Sequence, residues 1–203
     1  MSEPNFHNVE QRSEEWLRLR LGKITGTRLK DVFKSNNLTL VDELISEMLT
    51  EQIEENYVND AMQRGIDLEP LAIEAYEAET SSAVYPVGFV TNDDLPMCGL
   101  SPDGFVEGNG AVEIKCPSSK KHIEYIRTNR VPAEYKYQIQ MYFLINPEIK
   151  HVDFVSYDPR VALKPLHIVK VERSDIAEEL EETRKGLLKF VDKVRKYYDD
   201  ITF

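Results

Sequence analysis

Cysteine is nearly absent: Cys98 and Cys116 are the only two in 203 residues. That excludes a disulfide framework, and it excludes a four-cysteine zinc or iron–sulfur site within one chain. Both read as small buried hydrophobes. Histidine is scarce too, and His7, His122, His151 and His167 show no metal-ligand spacing. No apolar run approaches the length needed to cross a bilayer. Met1 to Glu10 is polar and lacks the apolar stretch of a secretory signal. A reduced, cytoplasmic protein with no membrane partner is expected. Repeats, low-complexity tracts and Gly/Ser linkers are also missing, so a single domain over residues 1–203 is expected, and 41% hydrophobic residues suit one buried core.

Positive charge is in deficit, with a formal net charge of −11. Taken alone, this argues against a nucleic-acid partner. The deficit is localised. Between Asp42 and Glu79, twelve acidic residues stand against the single Arg64. Between Arg12 and Lys34 seven basic residues oppose three acidic ones, and between Lys115 and Arg130 five oppose Glu124. Uneven surface charge is the ordinary explanation of any one such run. Two basic segments converging on one face, with acidic helices turned away, is the functional one.

The first half has helical periodicity. Ser13 is placed to cap a helix carrying Trp16 and Leu19, and Thr25 to cap one carrying Leu29, Val32 and Phe33. Thr39 opens a longer helix with Leu40, Leu44, Ile45, Met48, Leu49 and Ile53 at helical spacing. Another runs from about Asp60 to Glu79, with Pro70 expected to kink it or restart it near Asp67. The period then changes. Short strands are predicted at Val84 to Val90, Cys98 to Ser101, Phe105–Val106 and Ala111 to Cys116, with a turn at Gly108-Asn109-Gly110. Helices over roughly Ser118 to Thr128 and Ala133 to Leu144 follow, then strands at His151 to Tyr157 and Leu166 to Val171. A long amphipathic helix from about Ser174 to Tyr198 closes the chain, with Ile176, Leu180, Leu187, Val191 and Val194 inward. Helices, a mixed sheet and helices again indicate an α/β sandwich.

Chemistry concentrates in Ser101-Pro102-Asp103-Gly104 and Val112-Glu113-Ile114-Lys115-Cys116-Pro117. Side chains alternate along a strand, so Glu113 and Lys115 share one face while Val112, Ile114 and Cys116 take the other. The hairpin can bring Asp103 beside Glu113. Paired carboxylates repel unless a cation lies between them, and hard oxygen donors select magnesium or manganese. An amine beside such a metal can hold a water for attack on phosphorus. An isolated E-x-K is ordinarily a surface hairpin, but the upstream Pro-Asp-Gly and the apolar strand favour the chemical reading.

Pro102-Asp103 followed by Glu113-Ile114-Lys115 matches the PD-(D/E)XK nuclease signature. The fuller strings Ser-Pro-Asp-Gly and Glu-Ile-Lys-Cys-Pro resemble the phage lambda exonuclease, or YqaJ viral recombinase, family. Trp16 to Thr25 resembles that family's N-terminal motif, Gly65 to Glu69 its helical glutamate motif and Tyr137 to Tyr142 its glutamine motif. The resemblance implies a restriction-endonuclease-like α/β core with a mixed central sheet flanked by helices. It implies that Asp103 and Glu113 bind metal with the Ile114 carbonyl, that Glu69 serves a second metal position, and that Lys115 positions the attacking water. Two ions per active site, Mg2+ or Mn2+, follow. Glu69 shares a helix face with Met62, Gly65, Ala72 and Tyr76, where a carboxylate is costly to bury unless paired. Gln138 would lie near water and the scissile phosphate. Arg20, Thr27 and Ser101 would gather the DNA 5′-phosphate, Thr27 standing where the lambda enzyme has serine.

The same resemblance implies 5′→3′ digestion of double-stranded DNA ends in a bacterial host cell, leaving 3′ single strands for recombination. A homotrimeric ring and a single-strand annealing partner are implied as well. A related endonuclease, an enzyme that also degrades RNA, and a non-catalytic DNA-binding module remain open. Tyr135, Tyr137 and Tyr142 could stack on unpaired bases, although core packing is the simpler expectation.

Overall fold

The computed structural model describes residues 2–53 and 60–203. The chain begins with a short strand, β1 (Pro4–His7), and a helix, α1 (Glu14–Arg20), followed by α2 (Leu29–Val32), α3 (Leu38–Thr50) and α4 (Asp60–Thr80). Three strands follow, β2 (Phe89–Asn92), β3 (Gly104–Val106) and β4 (Gly110–Lys115), then helices α5 (Ser119–Thr128) and α6 (Lys136–Ile145). Strands β5 (His151–Tyr157) and β6 (Leu166–Glu172) lead into the terminal helix α7 (Ala177–Thr202).

The main sheet has the order β3-β4-β5-β6, and only the β4–β5 pair is parallel. A parallel neighbour needs a crossover, which α5 and α6 provide. Gly108 and Asn109 adopt left-handed φ values of 73° and 60°, so the expected turn closes the β3–β4 hairpin. Gly104 pairs with Val112, and extending that register by one residue sets Asp103 opposite Glu113.

Both faces of this sheet are covered. Val112, Ile114 and Val155 pack under Ala72 and Tyr76 of α4. Ala111, Val152 and Phe154 face the larger core built by α6, α3 and α7, where Ile139 and the run Met141 to Ile145 are buried. Leu180, Leu187, Val191 and Val194 of α7 join that core, as their spacing predicts.

Several expectations need correction. Ser13 does cap α1 through its hydroxyl. Thr25 instead offers its backbone carbonyl to the Arg28 and Leu29 N–H groups, while its hydroxyl meets Thr27. Helix α3 starts at Leu38, not Thr39, and ends at Thr50 because Glu51 turns left-handed, so Ile53 lies beyond it and Leu49 is exposed. Pro70 neither breaks nor restarts α4. The helix is tied to β5 and the segment after it by Tyr76 to Asp153 (2.7 Å) and Arg64 to Asp158 (3.0 Å), which holds it across the missing N–H. The predicted strands at Val84 to Val90 and Cys98 to Ser101 shrink to β2 and isolated bridges, since Pro86 cannot donate to a ladder. Strand β1 pairs with β2 and was not expected, because Pro4-Asn5-Phe6-His7 carries no alternation signal.

Candidate active site

Asp103 precedes β3, and its Oδ2 accepts the Ile114 N–H at 2.6 Å. Glu113 is only 2% exposed despite its charge. A buried carboxylate requires donors, and three side chains of the site supply them. Lys115 forms an ion pair with Oε1, Gln138 Nε2 donates to the same oxygen at 2.7 Å, and the Tyr142 hydroxyl lies 2.8 Å from Oε2. That hydroxyl also lies 2.9 Å from the Val112 carbonyl and accepts the Asp103 N–H at 3.1 Å. Tyr142 comes four residues after Gln138, so one face of α6 presents both. Gly26 lets the N-terminal loop pack on this helix, since a Cβ there would lie 3.2 Å from Gln138 Cγ.

The Lys115 amine is 4.0 Å from Asp103 Oδ2 and 5.4 Å from the centroid of the Tyr135 ring. Burial opposes its charge, but Glu113 and Asp103 outweigh burial and hold the amine above its ordinary range. Burial, with Glu113 next and a smaller contribution from Glu69, pushes the Asp103 carboxyl well above the usual carboxylate range. Glu69, on α4, lines the same cleft as Asp103, Ile114 and Lys115, a space of about 1970 Å³.

Among the described residues, no three His, Cys, Asp or Glu side chains cluster closely enough to hold an ion by themselves. The donor chemistry nonetheless suits a hard divalent cation. Asp103 and Glu113 are adjacent, Glu69 faces the same cleft, and such cations complete their shells with backbone carbonyl, water and phosphate oxygens. Burial raises the Asp103 carboxyl first, and the negative charge of Glu113 and Glu69 adds to it against the opposing Lys115.

The structure also brings Arg20 to Ser101. Ser101 Oγ accepts from Arg20 Nη1 and from Trp16 Nε1, each at 3.0 Å, and the guanidinium lies 4.1 Å over the Trp16 ring. Burial, and then the nearby Arg28, lower Arg20 to about 10. The loop after α1 is fixed by Glu47, which pairs with Arg28 and accepts the Gly22 N–H at 3.0 Å. Thr27 is exposed on that loop, its hydroxyl 3.3 Å from Thr25. Arg20 and Ser101 therefore meet, while the hydroxyl of Thr27 is bonded to Thr25.

The sequence reading left three contributors out. Tyr142 is expected from sequence in the core or on an unpaired base, although its spacing from Gln138 is an available signal for the site. Arg64 was noted only for its charge, yet its Nη1 donates to the Cys116 and Pro117 carbonyls, both at 2.8 Å, binding α4 to the end of β4. Asp158, its other partner, carried no motif.

Residues 15–146 match the YqaJ-like viral recombinase domain. A comparison with curated proteins returned no match. Among solved structures, an alkaline exonuclease (LHK-Exo) from Laribacter hongkongensis is 34% identical, with TM-score 0.86 over 94% of this chain and 96% of that one. The same protein in complex with dAMP is similar at TM-score 0.80, 34% identity, and 94% and 98% coverage. A phage-related exonuclease from Haemophilus somnus 129PT shares the fold, with TM-score 0.61, 16% identity, and 89% and 95% coverage. The motif matches, the mixed sheet and these likenesses converge: the chain belongs to the YqaJ-like viral recombinase family and has the restriction-endonuclease-like fold.

Proposed function

We propose that this protein is a divalent-metal-dependent DNA exonuclease whose active site comprises Asp103, Glu113, Lys115, Gln138 and Glu69. One observation carries the reading: Lys115 is bonded to Glu113 and lies 4.0 Å from Asp103 on the floor of an open cleft. The likeness to the alkaline exonuclease supports it. Asp103, Glu113 and the Ile114 carbonyl would hold a metal ion, with Glu69 serving a second position. A bound Mg2+ or Mn2+ would acidify water and offset charge on the phosphate. Lys115, kept cationic by the two carboxylates, holds the attacking water by hydrogen bonding. Gln138 keeps Glu113 oriented, and its amide oxygen can accept from water. Arg20 and Ser101 receive the terminal 5′-phosphate, with Thr27 near the rim.

The same reading gives 5′→3′ polarity on double-stranded ends, 3′ single-stranded products, a trimeric ring and an annealing-protein partner. Digestion of 5′- and 3′-labelled linear duplexes, with a circular control and with or without magnesium, tests the activity. Mononucleotide release from labelled 5′ ends only with magnesium is expected. Cleavage of the circle, or no cleavage of either, would overturn it. Light scattering tests the ring, and a mass of 23.5 kDa at all concentrations would reject it.

A further inference from the structure

A second basic feature at the cleft is built around a carboxylate. Asp158 follows β5 directly and is 0% exposed. Its Oδ1 accepts from Arg64 Nη2 (3.0 Å), Arg160 Nε (2.9 Å) and the Arg160 N–H (3.1 Å). Its Oδ2 accepts from Arg160 Nη2 (2.9 Å) and Ser119 Oγ (2.6 Å). Two guanidiniums thus share one carboxylate, which leaves a local surplus of one positive charge.

The two arginines are used differently. Arg64 directs its Nη1 donors to the Cys116 and Pro117 carbonyls, and its side chain is 28% exposed. Arg160 has a side chain 55% exposed and lines the cleft. Among the described residues its hydrogen bonds all run to Asp158, which leaves its Nη1 donors and one Nη2 donor for a ligand. Of the other cations lining the cleft, Lys121 is paired with Glu134 and Arg18 with Glu14. Arg160 is thus the more exposed of two arginines whose charge one shared carboxylate neutralises only in part.

We propose that Arg160, fixed by Asp158, is a binding residue for a backbone phosphate of the nucleic-acid strand in the cleft. The inference rests on the nuclease reading above and deepens it. A guanidinium already locked by two parallel bonds loses little freedom on meeting a phosphate, and its planar face suits that ligand. A brace for the loop would need neither the second arginine nor the open face. Bonding to Arg160 also keeps Asp158 far below the usual carboxylate range, so the support persists at any working pH.

Equilibrium binding of a short duplex, followed by fluorescence anisotropy in EDTA to prevent cleavage, tests this across a salt series. Arg160→Gln should weaken binding about 3- to 10-fold and lower the slope of log affinity against log salt by about 1. Arg160→Lys, which keeps the charge, should keep the slope and lose part of the affinity. Arg195→Gln, on the exposed side of α7, should change neither. A Gln variant with wild-type affinity and slope would overturn the proposal, whatever its melting temperature. Absence of salt-dependent binding by the unmutated protein would instead overturn the nuclease reading itself, and this inference with it.

Discussion

The Tyr142 hydroxyl lies 2.8 Å from Glu113 Oε2 and at the same time accepts the Asp103 N–H at 3.1 Å. One buried atom thereby ties the strand carrying one carboxylate to the segment carrying the other.

Tyr142→Phe keeps the ring and removes this tie. A net loss of about 1–2 kcal/mol in stability is expected from the missing buried hydrogen bonds. Single-turnover cleavage should fall about tenfold or more as the carboxylates lose alignment. Thermal melts and rapid-quench rates on one preparation separate the two effects. A wild-type rate in a destabilised variant would make Tyr142 a packing residue only.

Lys115→Ala should abolish cleavage and leave folding and DNA binding largely intact. Its amine faces the cleft carboxylates and packs on Tyr135 at the edge of the core. Turnover of linear duplex at saturating enzyme is the measurement, and near wild-type turnover would refute the role.

Asp103→Ala and Glu113→Ala should each lose magnesium-dependent activity and, in titration calorimetry, a metal site. Calcium should bind the unmutated protein without supporting turnover, because it accepts the same oxygens at longer and looser geometry. Unchanged binding in both variants would count against the constellation.

Arg20→Ala should remove the preference for 5′-phosphorylated ends. A charged hydrogen bond contributes roughly 1.5–3 kcal/mol, so phosphorylated ends should be digested about ten- to a hundred-fold more slowly. Ends bearing a 5′-hydroxyl should change much less. The ratio of initial rates on matched duplexes decides it, and an unchanged ratio leaves Arg20 as a partner of Trp16 and Ser101 only.

Asp158→Asn should destabilise the protein in a pH-dependent way. The Arg160 hydrogen bonds hold the folded carboxyl well below its range, while an unfolded aspartate titrates near about 3.9. The stabilisation is then complete above about pH 4 and is lost as pH falls below that, through the folded value. At pH 7 the cost should be about 3 kcal/mol, or roughly 6–12 °C in Tm. The gap between the melting curves of the two proteins should narrow steadily as pH falls below about 4, and a gap independent of pH would mean the charge is not what matters.

The hairpin was legible in the sequence because its logic is local. Alternation along a strand placed Glu113 and Lys115 on one face, and Gly108-Asn109 announced the turn that sets Asp103 opposite. Depth was not legible. Nothing in Val-Glu-Ile-Lys tells that Glu113 is almost fully buried, because its compensating donors, Gln138 and Tyr142, come from 25 and 29 residues away. The support of α4 was hidden for the same reason, with Arg64 and Asp158 separated by 94 positions. Composition predicted an acidic surface helix there, and could not show that its one arginine closes onto the end of a strand.

The parallel pairing of β4 with β5 has a consequence for the growing chain. Asp103, Glu113 and Lys115 lie within one hairpin, whose closure involves short loops and is fast. Gln138 and Tyr142 reside on the crossover, which cannot settle until β5 docks beside β4. A ribosome-bound chain that stops short of His151 therefore carries both carboxylates, the lysine and α6, but lacks the strand against which the crossover packs. The alignment of these three side chains is therefore expected to come late in assembly.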